Sequence, residues 1–213
     1  MSRLSDKLDL IIGPIRKQFA ARDEARERIL PLCREVIRYS SQVIRTLHRR
    51  QFDSAGDKLE KARGLLDEAA RVITEHGELG NTGFFRDAQK EFSEASFTLA
   101  LVTGKPIPGP GELAVDSAAY LNGLGEAVGE LRRYLLDSMR QGDLSSGEEI
   151  LSAMDDIYNV LVTMDFPDAI TGGLRRTTDM VRGVLERTRS DLTLAMQQKS
   201  LENRLDKFEE NLK

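Results

Sequence analysis

Apolar residues recur along this chain at intervals of three and four positions, which is the spacing of an amphipathic α-helix. No convincing stretch alternates with the period of two that a half-buried β-strand requires. The pattern therefore predicts an all-α bundle of about six to seven helices. The expected helices cover about residues 8–50, 53–75, 83–102, 112–140 and 146–164, with a last one from about residue 168 almost to the C-terminus.

Proline and glycine mark the expected interruptions of this pattern. Pro31 is expected to bend the first helix, because its ring clashes with the preceding turn. The segment TGKPIPGPGE excludes regular structure after the third helix, and Gly172 with Gly173 predicts a break near the start of the last one. No linker-like stretch divides the 213 residues, so residues 1–213 are expected to form a single domain.

Two sequence features bear on where the protein is expected to be found. The N-terminus lacks the basic and then apolar layout of a signal peptide, and no run of about 18 uncharged apolar residues occurs. These features predict a cytoplasmic protein without a membrane span. In the C-terminal tail, residues 197–213, the heptad-like spacing of Leu201, Leu205, Phe208 and Leu212 predicts a contact with another helix, including one of a second subunit.

Cysteine and histidine are too scarce for several kinds of site. The single Cys33 excludes an internal disulfide, and with only His48 and His76 it also excludes zinc sites built from several cysteines or histidines. The formal net charge is -4, so a polyanion would have to bind through a local basic patch.

Four glutamates are the most informative residues: Glu91 and Glu94 in KEFSEA, and Glu126 and Glu130 in GLGEAVGE. Each pair is set one helical turn apart, so both of its carboxylates point the same way, and two such helices side by side could bind a cation. Oxygen ligands without His or Cys suit Mg²⁺, with Mn²⁺ as the alternative ion. A di-iron bundle is excluded because it needs Glu-x-x-His motifs, which this chain lacks. The competing interpretation is that these acids are charged rims of core helices.

The surroundings of the glutamates favour a site over a solvated face. Gly123, Gly125 and Gly129 lie inside one predicted helix, where each costs about 0.5–1 kcal/mol relative to alanine, so close approach of a backbone or a ligand is expected. No residue from Ala95 to Gly104 is charged, so the Glu94 carboxylate should be partly desolvated and its pKa raised.

A basic stripe is the second feature of interest. Four arginines of the first helix fall within about 60° of one another on a helical projection, with His48 on the same strip. They are Arg34, Arg38, Arg45 and Arg49. A stripe of positive charges only suits contact with successive phosphates of a nucleic acid. Because no aromatic residues lie between the arginines, sequence-independent binding to the nucleic-acid backbone is favoured over base stacking. In the competing interpretation these arginines pair with acids of another helix or subunit.

Several segments resemble the translin and translin-associated factor X family, in matching order and over most of the chain. They are REVIRYSSQVIRTLHRR, FFRDAQKEFSEA, DSAAYLNGLGEAVGELRRYLLDSMRQGD and GLRRTTDMVRGVLERTRSDL. The resemblance implies an all-α fold that assembles into a hollow octamer with nucleic acid on its inner wall. In the factor X branch it also implies magnesium-dependent endoribonuclease activity.

The acidic motifs resemble the factor X branch more than translin, which lacks most of them. Factor X shows Glu-x-x-Glu-Ala on one helix, matched by Glu91 and Glu94. On the next it shows an acid four residues before the glutamate of Gly-Glu-Leu, matched by Glu126 and Glu130, although Glu126 is usually aspartate in the family.

The chain is thus predicted to be an archaeal-type homo-oligomeric endoribonuclease that holds Mg²⁺ at these glutamates, with Glu94 as the proton acceptor. It is expected to bind single-stranded or partly duplex RNA through Arg34, Arg38, Arg45, His48 and Arg49. One alternative is a non-catalytic translin-like protein that binds single-stranded RNA or DNA, and another is a purely structural helical protein. Arg175 and Arg176 are expected to form ion pairs within or between subunits.

Overall fold

Helices account for nearly all of the computed structural model, which describes residues 4–75, 79–80 and 82–211. The described residues form eight helices and no strand, so the all-α prediction is confirmed. His76 and Leu212 lie outside the described residues. In chain order the helices are α1 (Leu4–His48), α2 (Phe52–Glu75), α3 (Gly83–Val102), α4 (Pro110–Leu113), α5 (Ser117–Arg140), α6 (Gly147–Val162), α7 (Asp168–Thr171) and α8 (Leu174–Asn211).

The largest departure from the predicted boundaries lies before α5. The helix expected over about 112–140 is divided in two, because Ala114 adopts a left-handed conformation with φ 53° and ends α4. Asp116 then caps α5 by accepting a hydrogen bond from the Ala118 backbone N–H at 2.9 Å. By contrast α1 continues through Pro31, and the break at Gly172 and Gly173 occurs as predicted, both residues having positive φ.

The centre of the fold is formed by α3 and α5. Helix α1 packs along α2 and against α3, while α5 packs against α3 on one side and against α6 and α8 on the other. Phe92, Phe97, Leu131 and Leu135 of these two helices are fully buried. As a result, the polar residues of α3 and α5 that face one another lie where two core helices meet.

Both ends of the described chain expose apolar side chains. Leu4, Leu8, Ile11, Ile15 and Phe19 are exposed along the start of α1. Leu201, Leu205 and Phe208 are exposed along the end of α8. A contact between the C-terminal tail and a second subunit stays a prediction. No helix in the described ranges has the length and apolar character needed to cross a membrane.

Candidate functional site

The close approach of α3 and α5 depends on Gly123. A Cβ atom at this position would lie 2.7 Å from the Lys90 carbonyl oxygen and 3.0 Å from the Glu94 backbone nitrogen, closer than a side chain tolerates. At Gly125 the side chain of Thr177 lies nearest to the Cβ position, followed by Leu161 at 3.2 Å, while no described neighbour lies within 4 Å of that position at Gly129. Only side chains approach Gly125, and the expectation does not explain Gly129, so among these three glycines the expected close approach of another backbone is confirmed at Gly123 alone. At Gly123 it brings Glu91 and Glu94 beside the helix that carries Glu126.

Three of the four predicted glutamates meet at this contact. One carboxylate oxygen from each of Glu91, Glu94 and Glu126 lies within 4.8 Å of the others, and all three residues are half-buried. We call these three residues the glutamate cluster. Its donor set consists of hard oxygen atoms, which fits a divalent cation such as Mg²⁺ or Mn²⁺.

Glu130 lies outside this group of three and contacts α1 instead. Its Oε2 is 2.6 Å from Nε2 of His48, whose side chain is only 6% exposed, and 3.9 Å from an Arg133 guanidinium nitrogen. The other ring nitrogen of His48, Nδ1, is buried and has no hydrogen-bond partner among the described residues. His48, predicted as an RNA-binding residue, is therefore placed so that it orients Glu130, while its arginine neighbours face solvent.

Burial and like charges perturb the carboxyls of α3. Burial raises the pKa of Glu94 to about 8, and repulsion from Glu91, Glu126 and Glu130 adds to the effect, with Lys90 opposing it. Burial also raises the pKa of Glu91. The raised pKa of Glu94 agrees with the expectation from its uncharged sequence neighbours. Clustering of this kind becomes favourable when the acids share a cation.

Lys90 is a member of the site that sequence reasoning missed. Its Nζ donates a hydrogen bond to Glu126 Oε1 at 2.7 Å and lies 3.9 Å from Glu91 Oε1. Lys90 and Glu94 are one turn apart on α3, which was the available signal, but only the packing of α3 on α5 shows which acid the lysine meets.

The basic stripe lies on the solvent side of α1. Arg34, Arg38, Arg45 and Arg49 are exposed. Arg38 pairs with Glu35 of its own helix and lies 4.8 Å from the centre of the Tyr39 ring. Within the described part of the chain, the side chains of Arg34 and Arg49 have no ion-pair or hydrogen-bond partner. No acid of another helix in the described ranges neutralises the stripe, whose C-terminal end adjoins Glu130 through His48.

Comparison with known proteins identified one sequence relative and several structural neighbours. No protein-family model matches the chain. An uncharacterised protein of Methanocaldococcus jannaschii is 29% identical over 209 residues, which is 96% of this chain and 89% of that protein.

Three of the structural neighbours are C3PO structures. The complex of AfC3PO, from Archaeoglobus, with duplex RNA has a TM-score of 0.80 at 34% identity and covers 88% of this chain and 97% of that chain. The crystal structure of AfC3PO has a TM-score of 0.79 with the same identity and coverage. Apo-NeC3PO from Neurospora has a TM-score of 0.76 over 92% of this chain and 98% of its own, but at 18% identity it shows the fold alone.

Proposed function

The chain belongs to the translin family, as its likeness to the C3PO proteins shows, and on that premise we propose that it is a magnesium-dependent endoribonuclease. It binds single-stranded or partly duplex RNA through the basic stripe of α1 and cleaves phosphodiester bonds at the glutamate cluster. The observation that carries this proposal is the convergence of Glu91, Glu94 and Glu126 from two helices. That an AfC3PO structure contains duplex RNA supports the choice of RNA as the ligand.

The proposed cofactor is Mg²⁺, with Mn²⁺ as the alternative. The glutamate cluster would hold the ion, and Glu130, oriented by His48, lies beside the cluster as a further carboxylate. When bound, such an ion would neutralise phosphate charge and lower the pKa of a water, so that the water can lose a proton and attack phosphorus as hydroxide.

The chain's own residues supply a proton acceptor and hold one carboxylate of the cluster in its orientation. Burial raises the pKa of Glu94 to about 8 in the metal-free protein, so this carboxyl is protonated near neutral pH. A cation at the cluster would favour its ionised form, and the carboxylate would then be suited to take a proton from the attacking water. Lys90 donates to Glu126 and so fixes one carboxylate of the cluster. The lysine also reduces the net negative charge that an approaching phosphate meets.

The proposed assembly is a homo-oligomer, with the octamer as the subunit number that the family resemblance implies. The exposed apolar residues at the start of α1 and the end of α8 support this, because such surfaces commonly become buried between subunits. An oligomer would also carry one basic stripe per subunit and would bring several stripes together on one surface.

One observation favours a second candidate, a non-catalytic protein of the translin type that binds single-stranded RNA or DNA. The 2.7 Å hydrogen bond between Lys90 and Glu126 already satisfies one carboxylate of the cluster and competes with a cation for it. Such a protein would bind nucleic acid in the presence and absence of metal and would never cut it.

Incubation of end-labelled single-stranded RNA with the wild-type protein separates the two candidates. We expect cleavage in Mg²⁺ and none in EDTA, because the phosphodiester is hydrolysed only when the cluster holds a cation. A DNA oligonucleotide of the same sequence reports the preference between RNA and DNA. Binding without cleavage in both Mg²⁺ and Mn²⁺ would refute the nuclease and leave the binding protein.

The same RNA, titrated in EDTA, tests the basic stripe. Arg45→Ala and Arg49→Ala should each weaken binding and lower the slope of log affinity against log salt by about 0.7, the value for one phosphate contact with a single strand. Arg189→Ala is the matched control, since this exposed arginine of α8 pairs with Asp155 of α6. If both α1 variants bind as tightly as the control at low salt, the stripe does not contact the RNA.

A further inference from the structure

A cavity adjoins the glutamate cluster. Between the start of α3, the start of α5 and the turn before α8 lies a cavity of about 560 Å³. Its lining includes Arg86, Lys90, Asn122, Glu126, Arg176 and Thr177. Lys90 and Glu126 therefore belong both to this cavity and to the site of proposed cleavage. The volume lies within the range of pockets that take small ligands, which includes groups the size of a nucleotide.

Asn122 holds the α8 side of the cavity in place. This residue of α5 is buried, and its Nδ2 donates to the Thr171 carbonyl at 2.8 Å while its Oδ1 accepts from the Thr177 hydroxyl at 2.7 Å. Between these two contacts the chain reverses through Gly172 and Gly173, whose φ angles of +62° and +87° favour glycine. The first turn of α8, with Arg176, is thereby fixed against α5 beside Glu126.

The basic residues of the cavity differ in their partners. Lys90 is engaged by Glu126, and Arg175, which does not line the cavity, lies 3.8 Å from Asp165. Arg176 is exposed, and its side chain makes no ion pair or hydrogen bond with the residues that the structure describes. The expectation that Arg176 pairs with an acid is therefore not met within the described chain. An unpaired guanidinium at the wall of such a cavity is suited to a phosphate group, which it can bind through two hydrogen bonds.

We propose that this cavity is the subsite for the nucleotide adjacent to the scissile phosphate, and that Arg176 donates hydrogen bonds to the backbone phosphate of that nucleotide. Ala118, Ala119 and Met180 form an apolar part of the lining that suits the face of a ribose or a base. The inference rests on the proposed function, because it takes the glutamate cluster as the place of cleavage. It assigns Arg176 a positioning role: the arginine holds the strand, so that the bond to be cut lies at the cluster.

A phosphate-specific experiment tests this assignment. Single-stranded RNA is prepared with a neutral methylphosphonate at one position at a time on either side of the cleaved bond. For the wild type, one adjacent substitution should lower kcat/KM by about tenfold or more, the loss expected for one charge-assisted contact. Arg176→Ala should lower kcat/KM on unmodified RNA by a similar factor and show no additional loss with that substituted RNA. Arg176→Lys should recover part of the rate.

Arg175→Ala is the matched control, because the neighbouring arginine is exposed and lies outside the cavity lining. Arg175→Ala should cleave unmodified RNA and each methylphosphonate-substituted RNA at the wild-type rate. If Arg176→Ala cleaves as fast as Arg175→Ala, or keeps the full wild-type sensitivity to every methylphosphonate, the subsite is refuted.

Binding in EDTA separates this inference from the proposed function. Without metal, Arg176→Ala should bind short single-stranded RNA about fivefold or more weakly than Arg175→Ala does, since one phosphate contact is lost. Equal affinities overturn the subsite whether or not the protein cleaves. If the wild type fails to cleave in Mg²⁺ but the affinities differ as expected, the nuclease is refuted, and the cavity remains a phosphate-binding site for a nucleic-acid strand.

Discussion

Glu126→Gln is expected to abolish RNA cleavage while leaving RNA binding intact or tighter. Glu126 shares the glutamate cluster with Glu91 and Glu94, and replacing a carboxylate by an amide removes a charged ligand. Loss of a residue that only supports a ligand costs about 10–100-fold in metal affinity or activity, so loss of the ligand itself should exceed that range. Binding should not suffer, because one negative charge beside the phosphate disappears. The measurement is the rate of cleavage in Mg²⁺ together with affinity in EDTA.

Two further variants make this result specific. The amide introduced by Glu126→Gln retains an oxygen that can accept the hydrogen bond from Lys90, so the variant should fold as the wild type does. Glu126→Asp restores the residue usual in the factor X branch and should keep activity. Asp137→Asn is the matched control on the same helix, since Asp137 pairs with Arg140 far from the cluster. A Glu126→Gln protein that cleaves at the wild-type rate would exclude Glu126 from the chemistry.

The metal-free protein should lose stability as the pH rises toward 8, and Glu94 should be a main cause. In the folded state its pKa is raised from 4.5 to about 8, chiefly by burial. Between these values the folded chain holds a proton that the unfolded chain has lost, so the unfolded state binds fewer protons and the free energy of unfolding falls with pH. Across this pH range the contribution of Glu94 to the free energy of unfolding should fall by on the order of 3–5 kcal/mol.

Glu94→Gln isolates this contribution. In EDTA the variant should unfold at a higher temperature than the wild type at pH 8. At pH 4, below the unfolded pKa of 4.5, Glu94 is mostly neutral in the folded and unfolded states, so the two proteins should unfold at nearly the same temperature. Added Mg²⁺ should raise the Tm of the wild type at pH 8, because a ligand of the folded state stabilises it, and should raise that of the variant much less. Parallel pH profiles for the two proteins would show that Glu94 is not held in a protonated state.

Sequence periodicity could place the glutamates because their separation is short. Glu91 and Glu94 share one turn of α3, so helical geometry alone aims both the same way. Gly123 then signalled a close approach of another backbone, and that approach is to Lys90 and Glu94. The family resemblance named the same residues independently. The fold class followed from the same short-range pattern.

Contacts between distant parts of the chain were beyond such reasoning. His48 and Glu130 are 82 residues apart and meet because α1 and α5 both pack on α3. The sequence places His48 on the same strip as the arginines, and only the packed structure shows that its ring contacts the Glu130 carboxylate. Likewise, the cavity next to Glu126 depends on hydrogen bonds that join Asn122 to Thr171 and Thr177, which are 49 and 55 residues away in sequence. No local sequence pattern predicts contacts between residues so far apart.

Anomalous X-ray scattering from crystals soaked in Mn²⁺ would locate the cation directly. We expect a manganese peak within bonding distance of carboxylate oxygens from Glu91, Glu94 and Glu126, and no such peak in Glu126→Gln crystals treated in the same way. A peak in the wild type only at other positions, or none between α3 and α5, would contradict the view that these two helices share a metal ion.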